Sequence, residues 1–360
     1  MRFTLDLSHH SWTRDRDGQA PRQTLHVAHA ADAAGIDAIW ASEDPEGWDA
    51  FAVLSAIATV TESADLGTSV TSPYPRHPNQ LAASIATLDR LSGGRAVLGL
   101  GRGQPEWHRD ALGNDTGDPL AVLEETISLL RQWWRAPHRA ASPGDGHFRV
   151  RDWERVIHPR RDRVPVYLAA AGPRALDLAG TLCDGVVFNA QTSNDFLRYA
   201  IQRVRAAATG AGRDPAGLAF VLHTRAVVVD TPDAERKAID RGKNLFALVS
   251  TLPGMDRLVR TEGFDVPVLL DEVRATMRTR DTLAAGGGFP ALRRSGGLSA
   301  ARALIPDDLI RRLGVIGPLP VVRERLRDLD ELGVTHIGVA PPTDATSVES
   351  WRRLLADLGH

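Results

Sequence analysis

The sequence predicts a closed (β/α)8 TIM barrel with insertions. Three observations lead there. Short apolar segments alternate with amphipathic stretches along most of the chain, the pattern of a parallel sheet covered by helices. Eight such apolar segments occur in 360 residues, which suits one barrel with insertions. Polar, Gly-rich and Pro-rich residues stand directly after these segments, at the edge where parallel α/β folds bind ligands.

Residues 3–7 read as strand one, followed by His9, His10, Trp12 and a charged loop over 14–18. Pro21 opens a helix with Leu25, Ala28, Ala31 and Ala34 at helical spacing, and Gly35 stops it. Strand two, 36–41, runs into Ser42, Glu43 and Asp44; Trp48 then precedes a helix over 50–60. The stretch 66–103 is where the organisation is clearest. Strand three (65–70) ends in a Ser/Pro turn, a helix over 79–91 is stopped by Gly93-Gly94, and strand four (96–100) runs into Gly101-Arg102-Gly103. Strand, helix and strand in about 40 residues make a crossover between parallel strands.

Gln104-Pro105-Glu106-Trp107-His108 comes next, then a helix over 119–134 and a long loop, 136–163, rich in Arg, His, Pro and Gly. Strand five (164–169) leads into Ala170-Ala171-Gly172-Pro173-Arg174, with the proline in a first helical turn, where a missing N–H does no harm. Strand six (185–188) ends at Asn189, Gln191 and Thr192; a helix over 195–208 and strand seven over 218–229 follow.

The segment 231–306 breaks the rhythm. It reads as helical in pieces (234–249, 268–278) around a flexible Gly286-Gly287-Gly288. It is expected to be an inserted lid or oligomer contact within a single domain over 1–360. A helix over 321–332, strand eight over 335–340 and a helix over 347–358 restore the pattern. Ala34-Gly35-Ile36 and Leu332-Gly333-Val334 share one form, a helix end, a glycine and an apolar strand; Cys183-Asp184-Gly185 is a looser copy. A doubly wound open sheet is the alternative, but no Gly-x-Gly-x-x-Gly follows strand one.

Composition narrows the function. Apolar residues make up 43% and charged residues 24%, as in soluble globular proteins. A net charge of −2 argues against nucleic acid or an anionic membrane as partner. One cysteine, Cys183, forbids an internal disulfide or a cysteine metal cluster, and its apolar neighbours suit a buried, inert thiol. The first residues form a strand rather than a signal-peptide core, and no apolar run approaches the ~18 residues of a membrane span. A cytosolic protein acting on a small molecule is expected. His77 has no partner at ligand spacing, so no metal site is expected. Ser84, Ser92 and Ser128 lack a nucleophile elbow, against an acyl-transfer hydrolase.

The blocks LGTSVTSPYPRHP, ATLDRLSGGRAVLGLGRG, PVYLAAAGPRALDLAG and CDGVVFN, in this order, resemble the bacterial-luciferase-like superfamily. They are most similar to its deazaflavin branch, which holds methylenetetrahydromethanopterin reductase and the F420-dependent sugar-phosphate and alcohol dehydrogenases. The resemblance covers most of the chain outside 136–163 and 231–306. It implies an oxidoreductase that moves a hydride between coenzyme F420, held at the strand carboxyl ends, and an organic substrate. It also implies a non-proline cis peptide, here Ser69–Val70, whose bulge presses on one face of the deazaflavin ring. Homodimers built on barrel-side helices are a further implication.

From the residues themselves, Ala170, Ala171, Gly172 and Pro173 before a helix N-terminus form an anion seat, with Arg174 as a charged donor. The resemblance gives this loop and Asn189 to the cofactor phosphate. It places Glu43, Asp44, Ser69, Val70, Thr71, Gly101, Gly103 and Gln104 around the cofactor. Two positions depart from the sugar-phosphate dehydrogenases: Glu43-Asp44 replaces an acid–histidine pair, and Gln104 stands where an acid often follows Gly-x-Gly. Alcohol oxidation needs a base at the hydroxyl, so reduction of a C=C, C=N or C=O bond by reduced F420 is expected instead.

Candidate proton donors are Asp44, Glu106, His9, His10 and His108. Trp12, Trp48 and Trp107 are candidate walls of the substrate pocket. The long loop 136–163 and the insertion are expected to shape that pocket, with Arg149, Arg151, Arg155 and His158 either meeting an anion or solvated. The alternative function is an FMN-dependent monooxygenase on the same fold; the alternative from a different class is a binding protein without cofactor.

Overall fold

The computed structural model describes residues 1–13, 15–252 and 254–360; Arg14, in the charged loop over 14–18, lies outside the described residues. Eight parallel strands close on themselves: β1 (Arg2–Leu7), β2 (Ala38–Ala41), β3 (Asp65–Thr68), β4 (Ala96–Leu100), β5 (Val166–Ala169), β6 (Gly185–Phe188), β7 (Ala219–Val228) and β8 (His336–Val339). Each pairs with its chain neighbour, and β8 returns to β1 with Ile337 opposite Phe3. Closure rules out the doubly wound sheet.

The helices α1 (Ala20–Ala33), α2 (Ala50–Ala58), α3 (Pro78–Leu91), α4 (Pro119–Trp134), α5 (Pro173–Leu182) and α6 (Asn194–Gly210) wrap the first six strands. Strands β2, β4, β6 and β8 are buried along their whole length, as a sheet covered on both faces requires. The main core lies between strands and helices; a smaller one inside the barrel holds Trp40, Val97, Tyr167, Val187 and Val221. Trp40 fits only because its neighbour in β3 is Gly67, where a Cβ would stand 2.1 Å from the indole.

The repeated helix ends have a shared geometry. Gly35 and Gly333 adopt φ of +100° and +99°, and the next N–H turns back onto the helix, Ile36 to Ala31 and Val334 to Leu329. The third copy ends differently, since Cys183 is extended. What it shares is the aspartate: Asp184 accepts from the Val166 N–H at 2.9 Å, as Asp37 accepts from the Phe3 N–H at 2.7 Å. Arg131 and Arg163 clamp Asp184 and hold its carboxyl below the usual range despite burial. Cys183 is fully buried, and burial pushes its thiol up to about 12.

The two irregular segments behave differently. The loop 136–163 carries a small hairpin, Arg139–Ala140 against Trp153–Glu154, and lines none of the cavities described below, contrary to expectation. Two buried carboxylates explain this. Asp89 on α3 takes Arg161, and Glu125 on α4 takes the N–H groups of His147 and Phe148, so the loop is tied to the outside of the barrel. The segment 231–306 instead folds as α7 (Pro232–Val249) and five shorter helices among the described residues, and parts of it line the mouth.

His336 in β8 makes the barrel floor sensitive to acid. Burial, reinforced by the charge of Arg2, pushes its pKa from 6.5 down to about 4. The unfolded chain therefore takes up this proton first as pH falls. The contribution of His336 to stability is complete above pH 6.5 and is lost toward pH 4, by roughly 3 kcal/mol at most. Urea midpoints followed from pH 7 to 4 should drop in the native protein and drop less steeply in His336→Gln.

Candidate active site

The carboxyl ends of the strands open into two adjoining cavities of about 740 and 720 Å³. Val70, Gly103, Trp107, Ala169, Val187 and Asn189 line both, so they are two arms of one cleft. At the junction, just past β3, the Ser69–Val70 peptide bond is cis. The space for this turn comes from β4. A Cβ on Gly99 would lie 2.0 Å from the Thr68 carbonyl oxygen, and one on Gly101 2.7 Å from Val70 Cγ2. These glycines accommodate the end of β3. Gly99→Ala should cost about 3 kcal/mol in urea unfolding, since the carbonyl cannot move aside, whereas Gly144→Ala, in open space, should cost little.

The smaller arm ends at the start of α5. Gly172 is the extended residue before the helix, no side chain caps that end, and a Cβ there would meet nothing within 4 Å. Free first-turn N–H groups and the positive helix end therefore face an accessible space. Arg102, Arg174 and Arg257 stand around it. Arg174 is 76% exposed and only 3.4 Å from Asp118, so it is free to turn to an anion. Leu252, Gly254 and Leu258 of the insertion close the far side.

The larger arm holds an unexpected chain of side chains. Asp6 Oδ1 lies 3.2 Å from His223 Nδ1, and His223 Nε2 lies 2.5 Å from Ser69 Oγ. Asp6 Oδ2 has no partner. Among the described residues it is the only buried carboxylate oxygen so placed. It sits against Gly338, where a Cβ would be 2.5 Å away. Glu43 is its opposite: it receives Arg76 at 2.8 Å and the Thr71 hydroxyl, so it fixes Thr71 and has no free oxygen to exchange a proton. Asp6 and His223 were not anticipated. The available signal was a polar residue interrupting an apolar strand near its carboxyl end, in FTLDL and in FVLHTR.

The residues expected around the cofactor all line the cleft: Glu43, Asp44, Ser69, Val70 and Thr71 in the larger arm, and Gly101, Gly103, Gln104, residues 170–174 and Asn189 in the smaller arm or the junction. The expected donors fare less well. Asp44 and His10 line the larger arm. His10 Nε2 accepts from Arg293 at 2.7 Å, and burial followed by the Arg293 charge lowers its pKa, so that nitrogen has no proton to give. His9 is buried beside Asp44 at 3.3 Å, without hydrogen-bond alignment, and lines none of these cavities. Glu106 also lines none of them. His108 Nε2 is held by the Arg102 carbonyl at 2.9 Å and borders only a side pocket of about 270 Å³.

Of the expected tryptophans, Trp107 walls both arms. Trp12 and Trp48 pack edge to face at 4.8 Å and spend their N–H groups on Thr24 and Ser42. Trp48 reaches the side pocket and Trp12 none of the three; Trp40 of β2 takes the wall position instead. Among the described residues no three His, Cys, Asp or Glu side chains gather as a metal site requires, and no helix is long and apolar enough to cross a membrane.

Comparison with known proteins agrees with this architecture. The family profile described as luciferase-like monooxygenase matches residues 1–336. The 5,10-methylenetetrahydromethanopterin reductase of Methanolobus tindarius is 30% identical over 88% of this chain and 89% of its own. The F420-dependent glucose-6-phosphate dehydrogenase of Beutenbergia cavernae is 33% identical over 88% of this chain and 87% of its own. Among solved structures, the coenzyme F420-dependent tetrahydromethanopterin reductase of Methanopyrus kandleri superposes with a TM-score of 0.77 at 22% identity, covering 98% of this chain and 96% of that one.

Proposed function

The chain belongs to the luciferase-like monooxygenase family, and from that premise we propose that it is an F420-dependent reductase of a polarised C=C, C=N or C=O bond. One observation carries the reading. A single cleft joins an uncapped helix start, suited to a phosphate, to the Asp6–His223–Ser69 chain, suited to proton exchange, with apolar walls between. Arg102, Arg174 and Arg257 outnumber Asp118 and Asp256 around the smaller arm, a balance that favours a cofactor with a longer anionic tail than the single phosphate of FMN.

When bound, the deazaflavin supplies the hydride, and that chemistry is its own. The protein positions and protonates. Gly172 and the first turn of α5 would hold the phosphate. Val70, Ala169, Val187 and Trp107 would offer apolar contact to the ring. Ser69 meets His223 and His223 holds Asp6, and the Asp6–His223 pair would give a proton to the acceptor atom that does not receive the hydride. Helix α7 and Gly254, Asp256, Arg257 and Leu258 border the mouth of the cleft.

Equilibrium binding tests this reading. F420, followed by its own fluorescence anisotropy, should bind at least about tenfold more tightly than FMN. Reduced F420 should then be oxidised under anaerobic conditions when an unsaturated acceptor is added. Tighter FMN binding with oxygen uptake would instead indicate the monooxygenase, and binding of neither would indicate a protein without cofactor.

A further inference from the structure

Resting on that assignment of the two arms, we infer that the acceptor is an amphipathic carboxylate, an apolar body with an anionic head. The larger arm is built for both parts. Helix α7 turns Ala238, Arg241, Gly242 and Leu245 toward it, at the i, i+3, i+4, i+7 spacing of one helical face. Ile310 and Ile316 face them, and Val227 of β7 completes the wall. The helix is drawn close at Gly242, where a Cβ would lie 2.5 Å from Ile310 Cγ2. Leu245 nevertheless stays 38% exposed, although it lines a cavity, so an apolar occupant would remove its surface from water.

The charges in the same arm are unequal in their partners. Each acid has a basic neighbour: Asp6 has His223, Glu43 has Arg76 and Asp44 has His9. The two guanidiniums have no acidic one. Arg225 donates to the main-chain oxygen of Asp6 at 2.7 Å and, among the described residues, forms no ion pair; Arg241 forms neither an ion pair nor a hydrogen bond there. Lys243, two residues further along α7, is by contrast paired with Asp307 at 2.5 Å. The cavity thus presents two guanidiniums without an ion-pair partner beside an uncovered apolar strip, and such a pairing of groups suits an anion with a hydrophobic body.

The test uses the full chain without cofactor and three probes, trans-2-octenoate, its uncharged amide trans-2-octenamide, and the short acid crotonate. Calorimetric titration should show octenoate binding at least about tenfold more tightly than either of the others. Arg241→Gln should reduce the preference for acid over amide, and the double variant Arg225→Gln, Arg241→Gln should abolish it, with F420 affinity as in the native protein. Equal binding of acid and amide, no binding of octenoate, or a preference that survives in the double variant would each overturn the proposal. Loss of F420 binding in the native protein alongside an intact acid preference would overturn the cofactor assignment and leave the carboxylate site standing.

Discussion

Asp6→Asn is expected to slow acceptor reduction by about a thousandfold and leave F420 binding unchanged. General acids contribute about 10² to 10⁴ in rate, and Asp6 is the one carboxylate in the cleft with a free buried oxygen. The amide matches the carboxyl in size and can still accept at the atom facing His223, 3.2 Å away, so the fold and the cavity are preserved. It cannot release a proton. His223→Gln should cost less, about tenfold, because it removes the group that orients Asp6 and leaves the carboxyl in place. Single-turnover oxidation of reduced F420 measures both effects on the chemical step, and anisotropy measures binding separately. If Asp6→Asn keeps its rate within a few-fold of native, another group supplies the proton, and Asp44 is next in line in the same wall.

The second large effect is expected at Gly172, where one substitution should move stability and affinity in opposite directions. A Cβ there meets nothing within 4 Å, and the backbone, φ −83° and ψ 154°, suits any residue at a helix start. Aspartate in Gly172→Asp can accept from the first-turn N–H groups, as Asp49 does on α2 and Asp118 does on α4. The helix should gain a few tenths of a kcal/mol, and thermal unfolding should shift slightly upward. The same carboxylate occupies the anion seat and repels a phosphate, so F420 affinity should fall about a hundredfold. Gly172→Asn supplies the cap without the charge and should fall between. A variant that is merely damaged loses stability and affinity together. Unchanged F420 affinity in Gly172→Asp would place the phosphate elsewhere.

The fold was legible because its signals are local. An apolar run, a glycine at a helix end and a proline in a first turn each act on their own few residues. All eight strands and the helices α1 to α7 therefore lie close to where their spacing put them. The open helix start of α5 was legible for the same reason: Ala170, Ala171, Gly172 and Pro173 are contiguous, and a helix start exposes its N–H groups whatever packs around it. The proton-exchange chain was not. Asp6, His223 and Ser69 are brought together across 217 and 154 residues by the closing of the barrel, and each looks ordinary in its own strand.

The partners of the candidate donors are hidden in the sequence for a related reason. His10 has the right chemistry, but Arg293, 283 residues away, occupies its nitrogen. The loop 136–163 has the charge to greet an anion, but Asp89 and Glu125 hold it on the barrel exterior. By itself the sequence determined the eight-strand barrel, the turn after β3 and the uncapped start of α5, since these depend on neighbours along the chain. Only the tertiary structure decided which polar groups remain unpaired at the mouth. Hydrogen bonds and ion pairs between distant strands and the insertion use up most of them, and a side chain is available for chemistry only after those partners have been assigned.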